Sequence, residues 1–387
     1  MGVPITYNVR NLIERKGTTL MTAVGIGLTV AVLVTALALT AGLKSVFAGS
    51  GDPRQVLVLR KGVNAELTST VSNDSYQIIR RLPGIAVAAS GEPMVSPEGL
   101  TVVNLPSVDS PEGMNVTVRG LLPIGLSMRT LTIEQGKTFE PGMRQVIVGN
   151  SVARRYPDAR IGKHVRFGRG SWEVVGVFRV GDSAANSEIW VDLNQLRGDF
   201  EQEGGSSSLL VRTEGDEAAA RLKKAISDDQ RLGSGVIGEK EYYAGMTSSG
   251  APLEALGFFV AAVMSVGSAF AATNTMYAAV VRRAGEIGTL RALGFGRWTI
   301  LRSFMLESIC LALIGGVLGV LIALPVNGLT TGVGSFVTFS EVAFKFRVGP
   351  DAVLWGLLFA VVIGALGGFL PAWSASKKGI VAAMRDL

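Results

Sequence analysis

The 387-residue chain is 48% hydrophobic and 18% charged, with a net charge of +6 at pH 7. Its basic residues do not form one patch; many flank apolar stretches, which argues against a nucleic-acid footprint and marks them as topology signals. The single cysteine, Cys310, lies in an apolar stretch, and the single histidine, His164, lies in the polar middle. This excludes a disulfide in that middle region, and with it a histidine metal cluster or triad.

Four uncharged stretches organise the chain. They lie between Lys16 and Lys44, between Glu254 and Arg282, after Glu307, and between Asp351 and Lys377. The first, second and fourth leave 27, 27 and 25 residues free of charge. About 20 apolar residues, rising about 1.5 Å each, cross roughly 30 Å of hydrocarbon, so these stretches read as transmembrane helices. Ahead of the first, Ile5, Val9, Leu12 and Ile13 share one helical face. That predicts a short amphipathic helix over 1–17 at the inner membrane surface, the alternative being a frayed terminus. The first span, placed at 18–50, is too long for the apolar region of a signal peptide and lacks a small-residue cleavage site. It is therefore expected to stay attached.

Residues 51–250 are long enough to build their own core, and they read as mixed α and β. Strands are predicted over 55–60 (QVLVLR), 100–105, 115–119, 188–193 and 208–212, and helices over 75–82 and 216–227. Residues 145–156 read as a strand turning into a helix, and 165–178 as a hairpin across Gly168, Arg169 and Gly170. Flexible joints fall at 203–207 and 233–235. The expected picture is two small lobes, one inserted in the other. The remaining chain divides into spans at 251–281, 300–327 and 351–375, a loop at 282–299, a short loop at 328–350 and a tail at 376–387.

The spans carry faces of small residues: Gly315 and Gly319 in the third, Gly364 and Gly368 in the fourth, and Ala261, Ser265 and Ala269 in the second. Such faces let helices approach closely, where packing drives association in lipid. No span has a charged residue near its middle, and Pro325 sits near the outer end of the third. A pathway for a polar solute usually needs buried polar groups or broken helices, and this chain has no clear set. Gly136-Lys137-Thr138 imitates the end of a phosphate-binding loop, but the position of the first glycine is Leu131, so no ATPase is read in this chain. No nucleophile elbow, zinc helix or paired-cysteine motif is present, and no catalytic or metal-binding residue is assigned.

Lys and Arg near the span ends set the orientation. Arg10, Arg15 and Lys16 precede the first span; Arg282, Arg283, Arg291, Arg297 and Arg302 follow the second; Lys377, Lys378 and Arg385 close the chain. The loop between the third and fourth spans offers only Lys345 and Arg347. The positive-inside rule places both termini and the 282–302 segment in the cytoplasm, with the large domain outside.

The most specific stretch is RRAGEIGTLRALGFGRWTILRSFMLE, over 282–307. Ile287, Leu290 and Leu293 can line one helical face, while Arg283, Glu286 and Arg291 present charge; Gly294 and Gly296 then end the helix. A segment of this kind suits docking on another protein, or else rests on anionic lipid. The run R-x-x-E-I-G-x-L-R-A-L-G resembles the signature of the FtsX/MacB superfamily of ABC transporter permeases (type VII). The closing Gly368-Phe369-Leu370-Pro371-Ala372, Ala375-Ser376 and Ala382–Arg385 are similar to the family's end, and Arg10-Asn11-Leu12 with Gly25 and Gly27 agree at its start. The polar middle resembles the MacB-like periplasmic core domain in its V-I-V-G strand and W-E-V-V-G-V-F hairpin arm.

The resemblance implies a membrane protein with one plus three transmembrane helices in the bacterial inner membrane. A large α+β extracytoplasmic domain of two lobes is inserted between the first and second spans. In MacB itself the ATPase is fused at the N-terminus; the layout here is closer to the stand-alone LolC and LolE permeases. Residues 282–299, with Arg283, Glu286, Ile287, Leu290, Arg291 and Leu293, are then the expected coupling region for a separate cytoplasmic ABC ATPase, present in two copies, which holds the ATP and Mg; no cofactor is expected in this chain. A second permease subunit, identical or related, and a periplasmic adaptor or carrier are the further partners implied. The implied function is mechanotransmission: ATPase motion reaches the outer domain, which exports or extracts a lipid, lipoprotein, peptide or drug-like substrate from the outer side. The alternatives are an FtsX-like transducer that controls an extracytoplasmic hydrolase without transport, and a membrane-anchored enzyme, for which no catalytic constellation is visible.

Overall fold

The computed structural model describes residues 16–108, 110–201, 204–247, 251–334 and 339–377. Residues Ile5, Val9, Leu12 and Ile13 and the closing Ala382–Arg385 motif lie outside the described residues. The chain forms two compact units, one from the spans and one from residues 43–250 together with 330–344.

The first unit is built on four long helices: Lys16–Ala48, Ala251–Arg282, Arg297–Ala323 and Pro350–Lys377. Each is long and apolar enough to cross a membrane. A helix satisfies all its backbone hydrogen bonds internally, which is what lets an uncharged segment sit in hydrocarbon. The third helix stops at Ala323, and a single tight turn over Leu324–Val326 contains Pro325, whose ring cannot continue a helix. Large apolar side chains on the outer faces are exposed, among them Phe259, Phe270, Val317, Leu321, Leu354 and Leu366.

The inner faces are held by close backbone approach. A Cβ on Gly319 would fall against the carbonyl oxygen of Gly27 and lie 2.8 Å from Val30, and one on Gly315 would lie 2.8 Å from the carbonyl oxygen of Ala23. Both glycines therefore seat the first span on the third. Gly364 and Gly368 do the same for the third and fourth: their Cβ atoms would lie 2.5 Å from Ala312 and against Ser308. Short hydroxyl side chains add polar links. Thr29 and Ser268 share a hydrogen bond of 2.6 Å and Thr22 and Thr275 one of 2.8 Å, while Ser308 donates to the carbonyl of Gly364 at 2.7 Å and Thr273 to that of Gly367 at 2.9 Å. All four glycines make contacts within one chain.

The second unit carries strands β1 (Gln55–Arg60), β2 (Val71–Ser72), β3 (Val95–Leu105), β4 (Met114–Leu121), β5 (Thr132–Gly136), β6 (Gln145–Gly149), β7 (His164–Phe167), β8 (Gly170–Arg179), β9 (Glu188–Asp192), β10 (Gly205–Ser206), β11 (Ser208–Arg212) and β12 (Ser234–Gly238). One sheet runs in the order β12-β1-β11-β3-β4-β9-β6-β8-β5, with β7 on β8 as a hairpin. A first core gathers Val56, Val58, Ile79, Leu209, Val211, Leu222 and Ile226. A second gathers Val116, Val118, Val146, Val148, Trp172, Val174 and Ile189, all from the stretch between β3 and β11. One lobe is thus inserted in the other. Strand β3 joins them: residues 95–98 pair with β11 in the first lobe, and 99–105 pair with β4 in the second.

At that crossover lies a buried charge network. Arg119 of β4 donates to Glu66 at 3.0 Å, to Glu98 at 2.7 Å and to Glu188 at 2.9 Å. Arg129 also reaches Glu98, Trp190 donates to Glu188 at 2.7 Å, and Ser208 donates to Glu66 at 2.7 Å. Burial alone would raise the Glu66 pKa, but Arg119 and the Ser208 hydroxyl outweigh it and hold the carboxyl below its ordinary value of 4.5. The same carboxylates hold the Arg119 pKa well above the ordinary arginine value against burial.

Several elements differ from the sequence reading. The helix expected over 75–82 runs over Asn73–Ile79, because Ser72 caps it by accepting from the Ser75 amide. Helix Leu193–Phe200, read only as the end of a strand, begins at Asp192, whose carboxylate accepts from the Gln195 amide. The loop between the third and fourth spans contains a hairpin, β13 (Thr330–Gly334) with β14 (Glu341–Lys345). It is pinned to the second lobe: Glu341 accepts from Tyr156 at 2.8 Å and pairs with Arg155, and Ser340 bonds Thr117 at 2.7 Å.

Replacing Gly319 or Gly364 with Leu is expected to destabilise the purified protein by at least about 1–3 kcal/mol, through overpacking. Gly267→Leu, at a position with no neighbour within 4 Å, is expected to leave the melting temperature unchanged, so the comparison isolates helix contact from apolarity. Glu66→Gln is expected to destabilise the inserted domain at neutral pH. Because the folded pKa is the lower one, the contribution of Glu66 is present above pH 4.5 and lost as pH falls through the folded value. The stability gap between wild type and variant should therefore close on acidification below 4.5; a gap constant with pH would remove Glu66 as a source of acid sensitivity.

Candidate functional site

Between the second and third spans the chain breaks into a separate nine-residue helix, Ala284–Ala292. Arg283 leaves helical geometry at φ −107° and ψ 19°, which separates this linking helix from Ala251–Arg282. Its far end closes with two bonds, from the Phe295 amide to the Leu290 carbonyl and from the Gly294 amide to the Arg291 carbonyl, both 3.1 Å. That pairing needs a left-handed residue just past the helix, and Gly294 supplies it at φ +94°. The third span then starts after Gly296.

The six residues expected in the coupling region are divided by the structure. Ile287 is buried with Met276, Val280, Ile300, Leu301, Phe304, Ala372 and Ala375, and Leu290 is half-buried beside Ile300 and Phe304. Leu293 is 72% exposed. Positions three apart drift by about 60° on a 3.6-residue turn, and Leu293 lies past the helix end, so the three do not share one stripe. Glu286 is exposed. Arg291 is half-buried and donates to the Ser376 carbonyl at 2.9 Å, at the end of the fourth span.

Arg283 departs most from the sequence reading. It presents no outward charge: its guanidinium is buried and donates to Glu307 at 2.8 Å, with both side chains about 5% exposed. Glu307 lies in the third helix among apolar neighbours, where a carboxylate is tolerated only with a cation beside it. That constraint was present in the sequence, since Glu307 is the one acidic residue of the third span. Trp298, 68% exposed, was not singled out by periodicity because it opens the next helix. Glu286, Leu293 and Trp298 are exposed, as is Arg297.

Residues 19–229 match the family model of the MacB-like periplasmic core domain, and residues 258–380 match that of the FtsX-like permease C-terminal region. The chain belongs to the MacB- and FtsX-like family of ABC transporter permeases, and it is a multi-pass membrane protein. Among its relatives, the uncharacterized ABC transporter permease YknZ of Bacillus subtilis is 24% identical over 98% of both chains. The macrolide export ATP-binding/permease protein MacB of Agrobacterium fabrum is 23% identical over 91% of this chain and 58% of its own length, so this chain spans little more than half of that relative. Among solved structures, the extracellular domain of YknZ covers 47% of this chain at 17% identity with a TM-score of 0.36. The periplasmic region of MacB from Actinobacillus actinomycetemcomitans covers 49% at 12% identity with a TM-score of 0.37.

The two faces of the linking helix should respond differently to truncation. Ile287→Ala is expected to cost about 2–5 kcal/mol, as for other buried large-to-small changes, while Leu293→Ala is expected to stay within about 0.5 kcal/mol of wild type. Thermal unfolding of the two purified variants checks this.

Proposed function

We propose that the chain is the non-catalytic permease subunit of an ATP-driven transporter, and that a separate cytoplasmic ABC ATPase, in two copies, docks on Glu286, Leu293 and Trp298. The observation that carries this reading is the division of the linking helix. One face is buried in the helical unit, while Glu286 is exposed on the helix and Leu293 and Trp298 are exposed just past its end. Exposed large apolar residues rimmed by charge suit a protein interface, and a charge in such a patch sets docking and register. Membership in the family supports the ATPase partner. The clustering of Lys and Arg beside the first, second and fourth spans supports cytoplasmic termini in an inner membrane, with the inserted domain outside. ATP-driven motion then passes through the helices to the inserted domain, which handles a lipid, lipoprotein, peptide or drug-like substrate from the outer side. This fits spans whose hydroxyls are used in helix-to-helix bonds. The permease works as a pair, with a second copy or a related subunit, and an adaptor or carrier completes the outer side.

In a Cys310→Ala background, a membrane-impermeant thiol probe should label a cysteine at the exposed Ala225 of intact spheroplasts and should spare one at Thr289. Glu286→Arg should then lower recovery of the ABC ATPase with tagged permease by at least about tenfold, the loss expected when a charge is reversed at an interface. Equal recovery would exclude Glu286 from the docking surface. The reverse labelling pattern would exclude the topology.

A further inference from the structure

We infer that Arg283 and Arg291 are positioning residues that make the linking helix one rigid body with the third and fourth spans, so that it moves as part of them and not as a flexible arm. This rests on the docking reading above only for what pushes the helix.

The helix cannot set its own direction. Nine residues are too few for a stable isolated helix in water, where about 12–15 are marginal. The break at Arg283 and the glycines at 294 and 296 disconnect it from both neighbouring spans, so neither span imposes its axis on it. Its direction must come from tertiary anchors, and three are present. At the start, Arg283 is paired with Glu307 in the third span at 2.8 Å. In the middle, Ile287 clusters with Ile300, Leu301 and Phe304 of the third span, Ala372 and Ala375 of the fourth, and Met276 and Val280 of the second. At the end, Arg291 is bonded to the Ser376 carbonyl of the fourth span at 2.9 Å. The anchors span the whole helix and reach the second, third and fourth spans, which blocks rotation about any one of them. A buried ion pair is stiff because its attraction is little screened in apolar surroundings. A load on Leu293 and Trp298 would therefore reach the third and fourth spans without being absorbed by bending at the glycines.

The test measures geometry directly. In the Cys310→Ala background, spin labels are placed at Thr289 and Arg302, both exposed, and their separation is read by electron paramagnetic resonance in nanodiscs. Permease alone should give one narrow distance. Arg283→Glu and Glu307→Arg, each leaving like charges face to face, should shift or broaden it by roughly half a helical turn, ~3 Å. The double exchange Arg283→Glu with Glu307→Arg should restore it. Single variants that keep the wild-type distribution would overturn the proposal, as would a double exchange that fails to restore it. Arg291→Met strands no buried charge, and should broaden the distance from Thr289 to a label at the exposed Trp373; an unchanged distance would remove the second anchor. In the complex trapped with ATP and vanadate, the wild-type Thr289–Arg302 distance should stay within about one helical turn, ~5 Å, of its nucleotide-free value, and a larger shift would show a hinged arm. If no ATPase is recovered with the wild type, the docking reading falls, while the comparisons on permease alone still decide this one.

Discussion

The helical unit depends on close backbone contacts at glycine. The first span is separated from the other three by the whole inserted domain, and it returns to them because Gly319 leaves room for the carbonyl oxygen of Gly27. In hydrocarbon there is no hydrophobic force to bring two apolar helices together, since lipid solvates leucine as well as another helix does. Close approach of backbones supplies the packing energy instead. The first span is joined to the second separately, through the hydroxyl pairs Thr22–Thr275 and Thr29–Ser268. A larger residue at 319 would push the first span off the third.

The inserted domain solves a different problem with charge. Two lobes meet along β3, and a plain apolar seam would allow them to slide. Arg119 instead donates to three fixed partners, Glu66 from one lobe, Glu98 from the shared strand and Glu188 from the other. Pairs of this kind add little net stability because desolvation offsets attraction, yet removing one member strands the rest. The network therefore favours a single register of the lobes. A related device holds the β13–β14 hairpin, where Glu341 is buried against Arg155 and Tyr156.

The linking helix combines both strategies. Its inner face is packed like a core and its ends are held by charged groups, while Glu286 stays exposed. This explains why a family signature dense in arginine, glutamate and glycine sits in so short a segment. Gly294 closes the helix, Arg283 and Arg291 hold it, and Glu286 faces outward.

Much of this was legible in the residues alone. A run free of charge and long enough to cross a bilayer needs no tertiary context, so the one-plus-three arrangement follows from the positions of Lys16, Lys44, Glu254, Arg282, Asp351 and Lys377. Strands such as Gln55–Arg60 and Ser208–Arg212, and the hairpin from His164 to Arg179, follow from local alternation and turn glycines. The cap at Asp192 is equally local, since Asp followed three residues later by Gln announces a helix start. Tertiary structure alone decided which charges face inward. Arg283 and Arg291 are indistinguishable from Glu286 as members of a polar helix until Glu307 and the end of the fourth span are placed beside them. Leu293 likewise separates from Ile287 only when the helix ends one residue before it. The physical reason is that burial of a charge depends on a partner distant in sequence, whereas the length of an apolar run and the cap of a helix are properties of neighbouring residues.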